Sequence, residues 1–291
     1  TEVAFLLRDK FPSEEEQRQL YREQLEAFAP APVTMRSLDI GGDKSLPYFP
    51  INEDNPFLGW RGVRVTLDHP EIFLAQIRAM LKANEGLGNL RILLPMISAI
   101  EEVDESLALI QRCHDEVMAE GYTQEFPPVG AMIEVPSAVW LTDVLAHRLD
   151  FLSVGSNDLT QYLLAVDRTN SRVADMYHGL HPAVLGALAK ICLDARQRSC
   201  PVSICGELAG DPRATPLLIA MGFDQLSMNA ASLPRVKKVL NSVTLTEAKE
   251  VLEQLKGLHS VSQVKHLLDD LMQRRGLERY VRPGQEQERA E

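Results

Sequence analysis

The sequence predicts an α/β fold built on a parallel sheet. Short, near-continuous apolar runs alternate with longer segments of helical periodicity. Several of the helical segments carry start signals. The polar residues gather at the C-terminal ends of the apolar runs, the edge at which parallel α/β folds bind ligands and perform chemistry. The chain has 291 residues, enough for one large domain. That lies near the ~250 residues of a typical (β/α)8 barrel, and the alternation fits a barrel and a doubly wound sheet equally.

The first element is a helix. Ser13-Glu14-Glu15-Glu16, after Pro12, is a capping box, and the helix runs to about Ala29, before Pro30. Residues 33–38 (VTMRSL) form the first strand, with Thr34, Arg36 and Leu38 on one face and Val33, Met35 and Ser37 on the other. Pro70 stands where a first-turn proline starts a helix. Residues 90–95 (LRILLP) form the second strand. Ser98-Ala99-Ile100-Glu101 is a second capping box, whose helix carries Val103, Leu107, Ile110, His114 and Val117 on one face and ends at Gly121. Strands follow at 129–135 (VGAMIEV), 151–155 (FLSVG), 201–205 (PVSIC) and 225–228 (QLSM), with Pro182 and Pro234 starting helices among them. Helices at 245–257 and 261–274 close the chain, and residues 279–291 are expected to form a flexible tail.

Composition excludes several functions. With 41 acidic against 30 basic side chains the net charge is −11, which disfavours nucleic acid and anionic membranes as partners. No apolar stretch approaches the ~18 residues of a membrane span. Cys113, Cys192, Cys200 and Cys205 show no CxxC spacing, and with no signal-like N-terminus they read as reduced thiols of a cytoplasmic protein. Zinc spacing, a G-x-S-x-G elbow and a G-x-G-x-x-G turn are all lacking.

The chemistry is sought at the strand ends. Glu134 is an acid in the apolar run AMIEVP. It is either a carboxylate paired with a basic neighbour or a metal ligand. Asp158, in GSNDLTQY, is the natural second ligand, although Asn157-Asp158 alone would read as a helix cap. Two hard carboxylates completed by water and substrate oxygens suit Mg²⁺. Arg36 and Asp39 end the first strand, Arg61 and Arg64 follow NPFLGW, and Arg168 follows LLAVD. Singly these arginines read as surface salt bridges; together they offer forks for a phosphate and a carboxylate. Cys205, in SICGELAGD, is either a small core residue or a proton donor or nucleophile at a strand end. Gly41-Gly42-Asp43-Lys44 has the look of a phosphate turn without the P-loop pattern. Metal-assisted phosphate chemistry follows best from these residues.

The segments MRSLDIGGDKSLPY (35–48), NPFLGWRGVR (55–64), LLPMIS (93–98), MIEVPSA (132–138), SVGSNDLTQYLLAVDR (153–168), CGELAGDPRAT (205–215) and LSMNAASLPRVK (226–237) resemble, in order, the phosphoenolpyruvate-binding domain of enzyme I of the bacterial sugar phosphotransferase system. The match covers about residues 1–241, and SVGSNDLTQYLLAVDRTNSRVADMY with IEVPSAVW is more similar to the nitrogen-related paralogue. The resemblance implies a (β/α)8 TIM barrel over residues 1–278, missing most of its first strand, with C-terminal closing helices. It implies a dimer that binds phosphoenolpyruvate and Mg²⁺. Carried over by motif, Glu134 and Asp158 hold the metal, and Arg36, Arg61 and Arg168 grip phosphate and carboxylate. Asn157 contacts the phosphate and Asp158 also faces substrate, while Cys205 protonates the methylene carbon as pyruvate forms.

The resemblance further implies a phosphoenolpyruvate–protein phosphotransferase whose acceptor histidine lies on its own N-terminal domain, and an HPr-like phosphocarrier downstream. One family arginine would fall just before Thr1, and Ser156 replaces a threonine. None of His69, His114, His147, His178, His181, His259 or His266 lies in a Thr-Ser-His context, so this chain alone is expected not to autophosphorylate. A pyruvate phosphate dikinase or phosphoenolpyruvate synthase barrel is the alternative within the superfamily. A non-catalytic, phosphoenolpyruvate-sensing dimerisation module is the alternative of another class.

Overall fold

Six strands stand where six are predicted. The computed structural model describes residues 3–6, 8–42, 44 and 46–281. The strands are β1 (Val33–Arg36), β2 (Leu90–Leu94), β3 (Val129–Ile133), β4 (Phe151–Gly155), β5 (Val202–Cys205) and β6 (Gln225–Leu226). The β1–β2, β2–β3, β4–β5 and β5–β6 pairings are all parallel. Parallel neighbours need crossovers, which the intervening helices supply. All residues of β3 and β4 are buried, as expected of strands covered on both faces. The strands are shorter than predicted because the chain turns into helix early: Pro136 starts a helix, so Val135 caps it instead of extending β3.

The chain divides into two units, residues 1–133 with 148–151, and residues 134–147 with 152–291. In the first, Val33 lies opposite Leu90 and Ile92 opposite Val129. The Glu14–Phe28 helix begins as predicted: Ser13 Oγ accepts from Glu16 N–H, and Glu16 reaches back to Ser13 N–H at 2.8 Å. Behind β1 runs a buried polar relay. Gln17 donates to Pro12 O, Tyr21 Oη donates to Gln17, and Gln76 donates to Tyr21 Oη and accepts Leu38 N–H at 2.8 Å. Every member is paired, so the polar groups fix the backbone beyond β1 at little cost. Phe5, Leu38, Ile40, Leu46 and Val65 form an apolar cluster around the same segment.

The Ile100–Ala119 helix corrects two expectations. The capping acid is Glu102 instead of Glu101: its carboxylate accepts from Ser98 N–H at 2.6 Å and Ala99 N–H at 2.9 Å. The N-cap residue is Ala99, whose methyl cannot accept, so Glu102 does the capping. The buried face is Val103, Ser106, Ile110, Cys113 and Val117, with Leu107 and His114 only half-buried. Ser106 Oγ is satisfied by Glu102 O at 2.7 Å, and Cys113 Sγ donates to Leu74 O at 3.7 Å. Cys113 thereby reaches the Pro70–Ala83 helix.

In the second unit Leu152 lies opposite Val202, Gly155 opposite Cys205 and Ile204 opposite Leu226. The helices Leu245–Leu255 and Val261–Arg274 carry capping boxes, Thr244 with Glu247 and Ser260 with Gln263. Glu278–Val281 is a short helix, and the rest of the expected tail, residues 282–291, lies outside the described residues. No helix among the described residues is long and apolar enough to cross a membrane.

Gln76→Leu would take away the side-chain acceptor of Leu38 N–H and the donor to Tyr21 Oη, which keeps its own bond to Gln17. Urea unfolding is expected to show a loss of about 1–3 kcal/mol with little change in slope.

Candidate active site

In the first unit the geometry centres on Asp39, whose side chain is fully buried. Arg61 grips it by two contacts, Nε to Oδ1 at 3.1 Å and Nη2 to Oδ2 at 3.2 Å. Lys44 Nζ donates to Oδ2 at 2.6 Å, and Arg36 Nη1 lies 3.5 Å from the same oxygen. Three cations share one carboxylate. Arg61 is the interior member at 1% exposure, whereas Arg36 and Lys44 are 25% and 26% exposed. Arg61 is therefore no surface salt bridge. Burial by itself pushes the Asp39 carboxyl up, but the charges of Arg61, Lys44 and Arg36 outweigh that and hold it at about 2, below the ordinary 3.8.

The sequence explains this convergence locally. Asp39 leaves β1 after Ser37 N–H has bonded Leu93 O at 2.9 Å. The chain then turns back on itself, with Gly41 N–H donating to Lys44 O at 2.9 Å and Lys44 N–H to Gly41 O at 3.1 Å. Gly41 has φ +102°, and a Cβ there would lie 2.5 Å from Trp60 O. Only glycine fits. The turn places Lys44 beside Asp39; Asp43 lies outside the described residues. Arg64 serves the loop instead, donating to Gly59 O at 2.9 Å and Ser98 Oγ at 3.4 Å.

The second unit carries a different chemistry. Cys205 ends β5 level with Gly155, and the Ser156–Leu164 helix starts directly after β4. Ser156 Oγ donates to Cys205 O at 2.5 Å. Asn157 Oδ1 accepts Glu207 N–H at 3.0 Å, which turns the donor end of that amide the other way. Tyr177 Oη donates to Asn157 O at 3.1 Å, and burial pushes this phenol up, so it stays a donor. Gly206, at φ +94°, admits this packing: a Cβ there would meet Ser156 Oγ at 2.5 Å and Asn157 Oδ1 at 2.7 Å. The Cys205 thiol is half-buried and donates to Val154 O at 3.4 Å. Arg168 is placed by Gln161, whose Oε1 accepts Arg168 N–H at 3.2 Å after the left-handed turn at Ala165. A cavity of about 210 Å³ opens beside Asn157, with Tyr177, His178, Glu207, Arg213 and Lys265 in its wall.

Glu134 follows β3 and is fully buried; Asp158 lies in the first turn of its helix, 8% exposed, and does not cap it. No group of three or more His, Cys, Asp or Glu gathers as a metal cluster among the described residues. Two carboxylates are hard oxygen donors, a chemistry that suits Mg²⁺ with waters in the rest of its shell and does not suit a closed all-protein cage.

Sequence reasoning named Arg36, Arg61, Asn157, Arg168 and Cys205, placed Lys44 only in a turn with the look of a phosphate turn, and gave no role to Asp39 or Tyr177. For Asp39 a signal existed: like Glu134, it is an acid between apolar residues, Leu38 and Ile40.

Residues 1–245 match the family described as PEP-utilising enzyme, PEP-binding domain. A Salmonella typhimurium protein named phosphoenolpyruvate-dependent phosphotransferase system is 50% identical over 98% of this chain and 38% of its own length. A Haemophilus influenzae phosphoenolpyruvate-protein phosphotransferase is 40% identical over 94% of this chain and 48% of its own. The chain thus spans less than half the length of these relatives. Among solved structures, a Haloferax volcanii malate synthase shares the fold at TM-score 0.51 and 13% identity, covering 91% of this chain and 68% of that one.

The Asp39 cluster predicts a pH dependence. The folded carboxyl titrates below the unfolded one, so its contribution is complete above about pH 4 and is lost as pH falls toward 2. Urea unfolding between those limits is expected to show a loss on the order of 2 kcal/mol. Asp39→Asn is expected to flatten that slope.

Proposed function

Because the chain belongs to the PEP-binding domain family of the PEP-utilising enzymes, we propose that it is the catalytic, phosphoenolpyruvate-binding part of a phosphoenolpyruvate–protein phosphotransferase. The observation that carries this reading is the 50% identity over 98% of the chain to a phosphotransferase-system relative. The chemistry at the strand ends supports it. The reading includes a (β/α)8 barrel, a homodimer, cytoplasmic location, an HPr-like carrier and kinship with the nitrogen-related paralogue.

In this reading Arg36, Arg61 and Arg168 bind the substrate's phosphate and carboxylate through charge-assisted forks. The Asn157 amide, oriented by Glu207 N–H, donates to the phosphate. Glu134 and Asp158 hold Mg²⁺, which when bound neutralises charge on the phosphate and on the enolate oxygen. The phosphorus–oxygen bond to the enol breaks as a phosphorus–nitrogen bond forms to a histidine. That histidine belongs to another domain, since none of the seven here has the Thr-Ser-His context. The electron pair left on the enolate takes the Cys205 proton at the methylene carbon, giving pyruvate, and the thiolate is reprotonated from water.

Supplying the histidine domain in trans tests this directly. Pyruvate release that requires Mg²⁺ is expected; binding of phosphoenolpyruvate with no pyruvate under any condition would leave a sensing module instead. Cys205→Ala is expected to lower pyruvate formation by about 10²-fold or more while substrate affinity changes less than about threefold. Undiminished turnover in that variant would remove Cys205 from the acid role.

A further inference from the structure

We propose that Ser156 is a positioning residue for Cys205: its hydroxyl holds the carbonyl of the cysteine and so sets where the end of β5 presents the thiol. The inference rests on the reading of Cys205 as the acid that protonates the methylene carbon.

The strand ladder shows why a side chain serves here. Leu152 N–H donates to Pro201 O at 2.9 Å, where β4 begins its contact with β5. Ser156 and Cys205 stand at the same offset further along the two strands, and Gly155 opposite Cys205 is the last pair of the register. At Ser156 the chain passes directly into the Ser156–Leu164 helix, so β4 has no further extended residue to offer. There the Ser156 hydroxyl, on a side chain at 2% exposure, reaches across and donates to Cys205 O at 2.5 Å. The thiol of the same cysteine donates to Val154 O at 3.4 Å. Cys205 thus meets the end of β4 through its carbonyl and its side chain alike.

The bend after Cys205 depends on the same segment. Ser156 Oγ holds the Cys205 carbonyl, and Asn157 Oδ1 accepts Glu207 N–H at 3.0 Å. Those two peptide groups flank Gly206, so the two bonds restrain the planes on either side of its Cα. Gly206 has φ +94° and ψ −173°, a conformation open essentially to glycine alone. A Cβ there would lie 2.5 Å from Ser156 Oγ, so the residue that permits the bend also leaves room for the hydroxyl. A carbonyl turns with the ψ of its own residue. Holding it settles the last backbone torsion of the residue that carries the thiol. Proton transfer to carbon needs the acid close to a methylene placed by the bound substrate, and a displacement of about 1 Å can cost on the order of 10²-fold in rate. Ser156 acts through Cys205 and needs no contact with the substrate itself.

A double-mutant cycle tests the proposal. Pyruvate release, with the histidine domain in trans and Mg²⁺ present, is measured for the chain, Ser156→Ala, Cys205→Ala and the double variant. Phosphoenolpyruvate affinity by calorimetry and thermal unfolding are followed alongside. Ser156→Ala is expected to lower release about tenfold while affinity changes less than about threefold, and the double variant to stay within about twofold of Cys205→Ala. Ser156→Thr, which keeps the hydroxyl, is expected to recover most of the loss. The face of protonation is a readout that general loosening of the fold would not move. With phosphoenolpyruvate carrying one deuterium stereospecifically at the methylene carbon, in tritiated water, the parent is expected to give a single methyl chirality and Ser156→Ala a mixture. Three results overturn the proposal: Ser156→Ala at the parent rate, a loss that multiplies in the double variant, or a slowed variant that keeps a single chirality. An effect carried through Asp158, two residues on, would show itself as that multiplying loss. Should Ser156→Ala not fold, Ser156→Thr decides: near-parent release with a single chirality supports the role, and mixed chirality with the hydroxyl in place refutes it. If the parent releases no pyruvate, or Cys205→Ala releases it undiminished, the acid reading has failed and the inference falls with it.

Discussion

A carboxylate sealed in a protein interior costs several kcal/mol unless cations meet it, and Asp39 is such a carboxylate. Its demand for partners organises the segment from β1 to Arg64. Arg61 has to enter the interior, and the loop that carries it has to close around Glu53, whose carboxylate accepts Trp60 N–H at 3.0 Å. Gly41, Gly59 and Gly62 stand where a Cβ would strike a backbone carbonyl, that carboxylate or Met96. The buried relay from Pro12 to Leu38 fixes the residue before Asp39. One charge, placed at a strand end, thereby meets cations from β1 and from the two loops that follow it.

The second unit reaches its strand-end geometry by a different device. The close approach of backbone to side chain at Gly206 lets Ser156, Asn157 and Glu207 interlock next to Cys205. Such an arrangement leaves the thiol on a strand end, donating to Val154 O at 3.4 Å. Glu134 and Asp158 differ in the same sense from the cation cluster. They are buried carboxylates, one following a strand end and one in a first helical turn.

Much of the fold was legible because it follows from local chemistry. The Ser13 box, the prolines at 70 and 182, and the closing helices end up within a residue or two of their expected places. Where reading failed, packing had overruled pattern. Glu101 looked like the capping acid, but a helix that begins one residue later gives that role to Glu102. Leu107 and His114 looked like core, but the buried positions beside them are Ser106 and Cys113. Asp39 was visible at the end of β1, yet its role was not, since a carboxylate's partners can come from residues 22 positions away.

The sequence by itself determined the strand order's parallel sense, the placement of polar residues at the strand ends and, through its long motifs, the family. Those depend on residue spacing within single elements, which the chain states outright. Only the tertiary structure decided which arginine is interior, which lysine joins it, and which hydroxyl and amide brace the Cys205 strand end. Such choices depend on desolvation and on contacts between segments far apart in the chain, and burial turns an ordinary acid such as Asp39 into the charge around which the others are arranged.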